Sequence, residues 1–252
     1  MRKDIFWVTL FLFCLLSSLS TALGEDITAD EILERADGVR GSGKSVVIDA
    51  TITLIKSEKE DITAEFEILS KYQEKKTLIK FLFPPRDKGK IFLMLGDDFW
   101  IYLPNTRKPI RISPLQRLLG NASYGDIARP TYSGDYYAEL LRMEESENKE
   151  CFVLELKAKN KKVAYHRVIY WVQKDNFHPI KADFYAFSGK LMKTAFFEGY
   201  EYKPHLKQST PTRLVIFDQV MRDSKTIIEY TEIEPLEIPD KLFSRDYLER
   251  VR

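Results

Sequence analysis

Residues 45–69 read SVVIDATITLIKSEKEDITAEFEIL, and the period of this stretch decides the fold class. Val46, Ile48, Ala50, Ile52 and Leu54 alternate with Val47, Asp49, Thr51, Thr53 and Ile55. After a charged turn, Ile62, Ala64, Phe66 and Ile68 alternate with Thr63, Glu65, Glu67 and Leu69. Successive side chains of a strand point to opposite faces, so each run has one apolar face and one mostly polar face. Two such runs across a short turn are antiparallel strands with one side buried. Similar runs follow at 76–83, 90–95, 98–103, 151–158, 164–174, 179–187, 190–202, 212–222 and 225–234. Pro84-Pro85, Pro104-Asn105, Asp175-Asn176, Ser188-Gly189 and Asp223-Ser224 supply turns between them. About eleven strands joined mostly by short turns predict one large antiparallel sheet, which must curl or close at that size.

Helical spacing is confined to the flanks and to one interruption. Thr28 and Glu31 form a T-x-x-E capping box, followed by Ile32, Leu33 and Ala36 on one side of a helix. Gly38, Gly41 and Gly43 are expected to end it. Residues 113–148 break the rhythm of hairpins. Ser113, Pro114 and the triplet Leu115, Leu118 and Leu119 predict a short helix stopped by Gly120. A long excursion then returns to strand near Tyr137–Met143. The C-terminal stretch PDKLFSRDYLERVR predicts a short helix or turn, with Leu242, Phe243 and Leu248 docking inward.

Residues 1–24 have the layout of a secretory signal: Arg2 and Lys3, an apolar run from Ile5 to Leu16, then Ala22 and Gly24 before a cut. That run is short of the roughly 20 apolar residues of a membrane span. Residues 25–252 are then expected to be one domain, soluble, monomeric and outside the cytoplasm. Without residues 1–24 the basic and acidic counts are equal, which speaks against a nucleic-acid partner. Cys151 is the single cysteine beyond the signal, so stability must come from a core rather than from an internal disulfide. Cys14 lacks the small preceding residues of a lipid-attachment site, Phe13 standing there instead.

Several motifs invite chemical readings that their settings oppose. Gly38 to Ser45 fits G-x-x-x-x-G-K-S, the phosphate loop, but a helix precedes it and a strand pattern follows, the reverse of the required order. An anion there would meet the negative end of a helix. His166, His178 and His205 show no metal-ligand spacing. Ser146 to Lys149 fits S-x-x-K within an acidic polar turn, a poor setting for a buried lysine base. No catalytic residue, metal or cofactor is expected. What stands out is bulk: aromatic residues make up 13% of the chain, and 98–103 and 164–172 are apolar on both faces. A curled sheet with more apolar surface than its few helices cover would line a cavity.

Residues 98–135 carry a resemblance. Trp100 to Pro104, Arg111 to Ser113, Leu115 to Leu119 and Ser123 to Asp126 resemble the outer-membrane lipoprotein-sorting proteins, relatives of the LolA and LolB carriers. Tyr170-Trp171-Val172, Pro179-Ile180-Lys181 and Pro211-Thr212-Arg213 extend it through the second half. The resemblance implies a mainly β fold: an unclosed antiparallel β-barrel, or half-barrel, of about eleven strands with short helices as a lid over an apolar cavity. It also implies a non-enzymatic periplasmic carrier for lipoprotein acyl chains or other lipid cargo. The alternative is a protein-binding module, either an RseB-like envelope-stress sensor or a soluble partner of a membrane exporter. The expected wall residues are Ile48, Ile52, Phe66, Ile68, Ile79, Phe81, Ile101 and Leu103. The expected lid residues are Ile32, Leu33, Leu115, Leu118 and Leu119, with 113–135 forming a mobile flap.

Overall fold

The computed structural model describes residues 27–41, 45–57, 59–106, 108–219 and 224–250. The export signal read at 1–24, Cys14 and Gly43 lie outside the described residues. The chain begins with helix α1 (Ala29–Arg40) and then enters the sheet through β1 (Ser45–Lys56), β2 (Ile62–Lys71), β3 (Lys76–Phe83), β4 (Ile91–Leu95), β5 (Asp98–Tyr102) and β6 (Pro109–Ile112). A small hairpin, β7 (Arg117–Leu119) and β8 (Ala122–Ser123), leads into helix α2 (Tyr124–Ala128). The sheet resumes with β9 (Tyr136–Ser146), β10 (Lys149–Ala158), β11 (Arg167–Gln173), β12 (Pro179–Tyr185), β13 (Leu191–Lys203), β14 (Gln208–Asp218) and β15 (Ser224–Pro235), and helix α3 (Arg245–Arg250) follows.

Thirteen of these strands form one antiparallel sheet in the order β6-β5-β4-β3-β2-β1-β15-β14-β13-β12-β11-β10-β9, whose two edges do not pair with each other. The sheet is therefore larger than the expected eleven strands. Pro109–Ile112 was missed because four residues at an edge, with Ile110 exposed, show no alternation. The alternation that was visible corresponds to real faces. Val46, Ile48, Ala50, Ile52 and Leu54 are all buried, and their neighbours are not. Register carries one inward row across five strands: Ile48 opposes Ile68, Ile68 opposes Ile79, Ile79 opposes Phe92 and Phe92 opposes Ile101.

Apolar residues on the opposite face have their own cover. Leu69, Leu78, Ile91, Leu93 and Tyr102 pack with Ile238, Phe243 and Leu248 of the C-terminal segment. Cys151, Val153, Ile169, Trp171 and Ile180 form a second outer cluster on β10–β12. The doubly apolar strands are thus largely accounted for by two layers of packing. Cys151 is a buried thiol whose pKa burial raises, and it donates weakly to the Lys149 carbonyl.

Helix α1 keeps part of its expected N-terminal box and ends within the expected glycine cluster, capped by Gly41. Thr28 Oγ1 accepts from the Glu31 backbone N–H, but the Glu31 carboxylate pairs with Arg35 instead of returning to the cap, so half of the box forms. The helix also runs through Gly38 to Arg40. That extra turn is what carries Asp37 and Arg40 into the interior.

Residues 113–135 cross from β6 to β9, from one edge of the sheet to the other. The helix expected over Leu115, Leu118 and Leu119 does not form. Ser113 instead starts a turn, its Oγ accepting from Leu115 N at 3.2 Å and its carbonyl from Gln116 N at 3.0 Å. Gly120 reverses the chain at φ +57, so Leu119 pairs with Ala122. Gly120 also presses on β15, where an added Cβ would lie 2.4 Å from Thr226 Oγ1. Leu115 is consequently 46% exposed, while Leu118 and Leu119 pack partly against the core. The helix forms ten residues later. Ser123 starts it, its N–H donating to Asp126 Oδ2 at 2.7 Å.

Buried polar contacts hold this strap to the sheet. Asp126 pairs with Lys193 of β13, both almost fully buried. Lys193 Nζ also donates to the Asn121 carbonyl at 3.2 Å, and Tyr165 Oη donates to Asp126 Oδ1 at 2.8 Å. Arg129 reaches the Gly96 carbonyl at 2.6 Å and both Asp97 and Asp135. Removing one partner of a buried pair leaves an uncompensated charge and costs roughly 3–5 kcal/mol. Lys193→Met should therefore lower the urea unfolding free energy by about that much; a loss below about 1 kcal/mol would show that the pair does not anchor the strap.

Candidate functional site

The concave face holds a continuous core of α1, the strap and the inward rows of the strands. Ile32, Leu33, Ile52, Phe66, Ile79, Phe81 and Ile101 are buried in it, and Leu103 packs at its margin. Phe66 meets Phe81 edge-on at 4.9 Å, and Phe92 stacks on Tyr124 of the strap at 4.7 Å. Those rings fill the sheet from β2 to β5. The free space lies elsewhere.

It is a hollow beneath the C-terminal turn of α1. Val46, Ile48 and Ile68 form its floor on one side, and Phe197, Leu214, Tyr230 and Ile233 on the other. Ile127 and Pro130 of the strap roof it, and Leu206 stands at the tip of the β13–β14 hairpin. Of the eight expected wall residues, Ile48 and Ile68 line this hollow; the other six belong to packed core around it. About 40 Å³ of it is free, room for a few waters and not for an acyl chain. Tyr72 and Gln208 also border a polar groove of about 440 Å³ running past Gly38, Gly41 and Ser133, so the groove and the hollow adjoin.

Charged and hydroxyl groups at this end of α1 were not foreseen. Asp37 is 5% exposed; its Oδ1 accepts from Tyr132 N at 2.9 Å, and its Oδ2 from Tyr132 N at 2.8 Å and Ser133 N at 2.6 Å. This ties α1 to the strap. Gln208 Nε2 donates to the Gly38 carbonyl at 2.9 Å and ties α1 to β14. Arg40 lies over Tyr132 at 4.8 Å and over Phe197 at 4.6 Å. Its Nη1 is buried without a hydrogen-bond partner among the described residues. Tyr72, Tyr170, Tyr200 and Tyr230 surround this end, and burial raises the pKa of each. A charge two residues beyond a glycine, at helical spacing from Ala36, was the available sequence signal. Reading Gly38, Gly41 and Gly43 together as the end of the helix concealed it.

The Gly38–Ser45 run begins in the last turn of α1, so its Gly38, Arg40 and Gly41 border this region as the end of a helix and not as a phosphate loop, and its residues 42–44 lie outside the described residues. His178 stacks on Tyr200 at 4.1 Å, and burial lowers its pKa.

Asp37 gives the site a pH signature. Desolvation raises its pKa from 3.8 to about 6, against the Ser133 and Tyr132 donors and the charge of Arg40. The folded protein then holds this proton more tightly than the unfolded chain. Stability must fall as pH rises from about 4 to about 6, by on the order of 1–3 kcal/mol from this group. Asp37→Asn should flatten the dependence of the unfolding free energy on pH across that window. Parallel curves for the two proteins would exclude Asp37 as the source.

A family model described as "Uncharacterized protein" matches residues 73–250. Among curated proteins no match is found. Three solved structures are similar over nearly the whole described chain. One is a LolA superfamily protein from Nitrosomonas europaea, at 34% identity and TM-score 0.83, covering 88% of this chain and 100% of that one. Another is a DUF1329 family protein from Desulfovibrio piger, at 24% identity and TM-score 0.77, covering 87% and 97%. The third is a domain described as an outer membrane lipoprotein-sorting protein, from Vibrio parahaemolyticus, at 22% identity and TM-score 0.72, covering 88% and 98%. The two less similar structures share the fold; the first, with the family model, shows that this chain belongs to that model's family and to the LolA superfamily.

Proposed function

We propose that the protein is a non-enzymatic periplasmic carrier that closes an apolar hollow over acyl chains of lipid-modified or other lipid cargo. The observation that carries this reading is the nearly closed apolar hollow under α1, sealed on its polar side by two small sets of hydrogen bonds. A reversible carrier needs apolar burial, about 0.8 kcal/mol per CH₂, and a cover that opens at modest cost. Helix α1 fits that cover. Its polar ties to the rest of the molecule include the Asp37 carboxylate on the strap and the Gln208 amide on its last carbonyls, with Ile32, Leu33 and Ala36 buried below. The strap is held by a buried ion pair and runs into edge strands at both ends. It serves as the fixed part of the roof, and α1 as the moving part, a reversal of the flap expected at 113–135.

A second reading has its own observation. The edge strand β9 exposes Tyr137, Leu140, Leu141 and Met143, which suits a protein partner adding a strand. A pull-down from envelope extract separates the two: many lipoproteins support the carrier, and one stable membrane partner supports the module.

Delipidated protein should take up a fluorescent acyl probe at micromolar concentration, and Leu206→Asp at the hollow's margin should weaken uptake about tenfold. No uptake by the unaltered protein would end the carrier reading. In hydrogen exchange, amides of α1 should open faster than those of 121–128 and become protected on binding the probe. Equal protection of both segments in both states would remove α1 as the cover.

A further inference from the structure

We infer that the hollow is built for an amphiphile with an anionic head, a carboxylate or a phosphate, whose oxygen takes the unpaired Nη1 of Arg40. This rests on the carrier reading and narrows its cargo. Apolar surface supplies most of the lining, yet two arginines, Arg40 and Arg213, take part in it, with no aspartate or glutamate among the described lining residues. Both carry a buried guanidinium nitrogen without a hydrogen-bond partner among the described residues, Nη1 in Arg40 and Nε in Arg213. Two orphan donors of the same charge in one small hollow are a costly arrangement. Each forfeits hydration without gaining a protein acceptor.

The nearby carboxylate does not resolve this. Both oxygens of Asp37 are engaged by the Tyr132 and Ser133 backbone N–H groups. Asp37 thereby balances charge without occupying Arg40 Nη1. Arg213 stands nearer the solvent, with Glu198 3.5 Å away outside the hollow, and is the weaker candidate. Arg40 rests on Tyr132 and Phe197, which fix its position. The Tyr170 hydroxyl, also buried without a partner among the described residues, belongs to a ring 5.3 Å from Tyr132. An anionic oxygen delivered to Arg40 would satisfy the orphan guanidinium donor, while the tail lies along Ile48, Ile68 and Ile233.

The test uses the full chain, delipidated, and three ligands of equal tail: dodecanoate, dodecyl phosphate and dodecanol. Each competes against a bound fluorescent acyl probe. Dodecanoate or dodecyl phosphate should displace the probe at roughly tenfold lower concentration than dodecanol, as a charge-assisted hydrogen bond provides. Whichever of the two is preferred identifies the head group. Arg40→Met should abolish the preference for the anionic ligands over dodecanol, whereas Arg40→Lys should keep part of it. Equal displacement by all three ligands from the unaltered protein overturns the inference and leaves the carrier reading intact. Preference unchanged in Arg40→Met also overturns it. Failure of the probe itself to bind overturns the carrier reading, and this inference with it.

Discussion

The sheet's two edges are the first and last of thirteen strands, and the chain must pass from one to the other between β6 and β9. That connection is the constraint on which the interior depends. A connection of some twenty residues cannot go round the outside of so broad a curl, so it runs through the concave face and becomes part of the core. A loop taken into a core brings backbone polar groups with it, and those must be satisfied. The buried Lys193 amine, the Asp126 and Asp37 carboxylates and the Thr226 hydroxyl serve that need. The polar side chains in this apolar interior are consequences of topology before they are anything else.

The same constraint divides the concave face. From β2 to β5 the strap lays Tyr124 against Phe81 and Phe92, and the space is filled by rings. Beyond α2 the strap leads on to β9, with Ile127 and Pro130 over the hollow. Helix α1 completes the roof there with one turn of chain carrying Asp37, Gly38 and Arg40. Gly38 has open space around it, and Gly41 already sits so close to Tyr72 and Thr131 that a Cβ would lie 3.0 Å from the tyrosine ring. The chain at this turn is held against the mouth of the hollow by close packing as well as by hydrogen bonds.

Strand pairing was legible because a half-buried strand writes its two faces in alternate residues, as 45–54 does. Short edge segments lacked that signal, which is why Pro109–Ile112 escaped the strand count. The strap was misread for a different reason. Leu115, Leu118 and Leu119 have helical spacing, but Ser113 and Gly120 impose turns, and tertiary pairing with Ala122 outweighs a three-residue preference. Among site residues, Ile48 and Ile68 were visible as members of an inward row, although nothing in the row distinguishes a residue that lines a void from one that packs. Arg40, Asp37 and Gln208 were hidden altogether. Asp37 depends on partners 95 and 96 residues away, Gln208 on one 170 away and Arg40 on the rings of Tyr132 and Phe197, and no local period encodes such pairings.

The two clusters on the outer face have a mechanical consequence. The C-terminal segment laminates β2–β5, and the cluster around Trp171 thickens β10–β12. Neither cluster extends to β13, β14 or β15. A plate stiffened at both sides and left single in the middle bends along the unstiffened band. That band supplies one side of the hollow's floor, Phe197, Leu214, Tyr230 and Ile233, so a bend there would change the volume of the hollow while the laminated strands keep their shape.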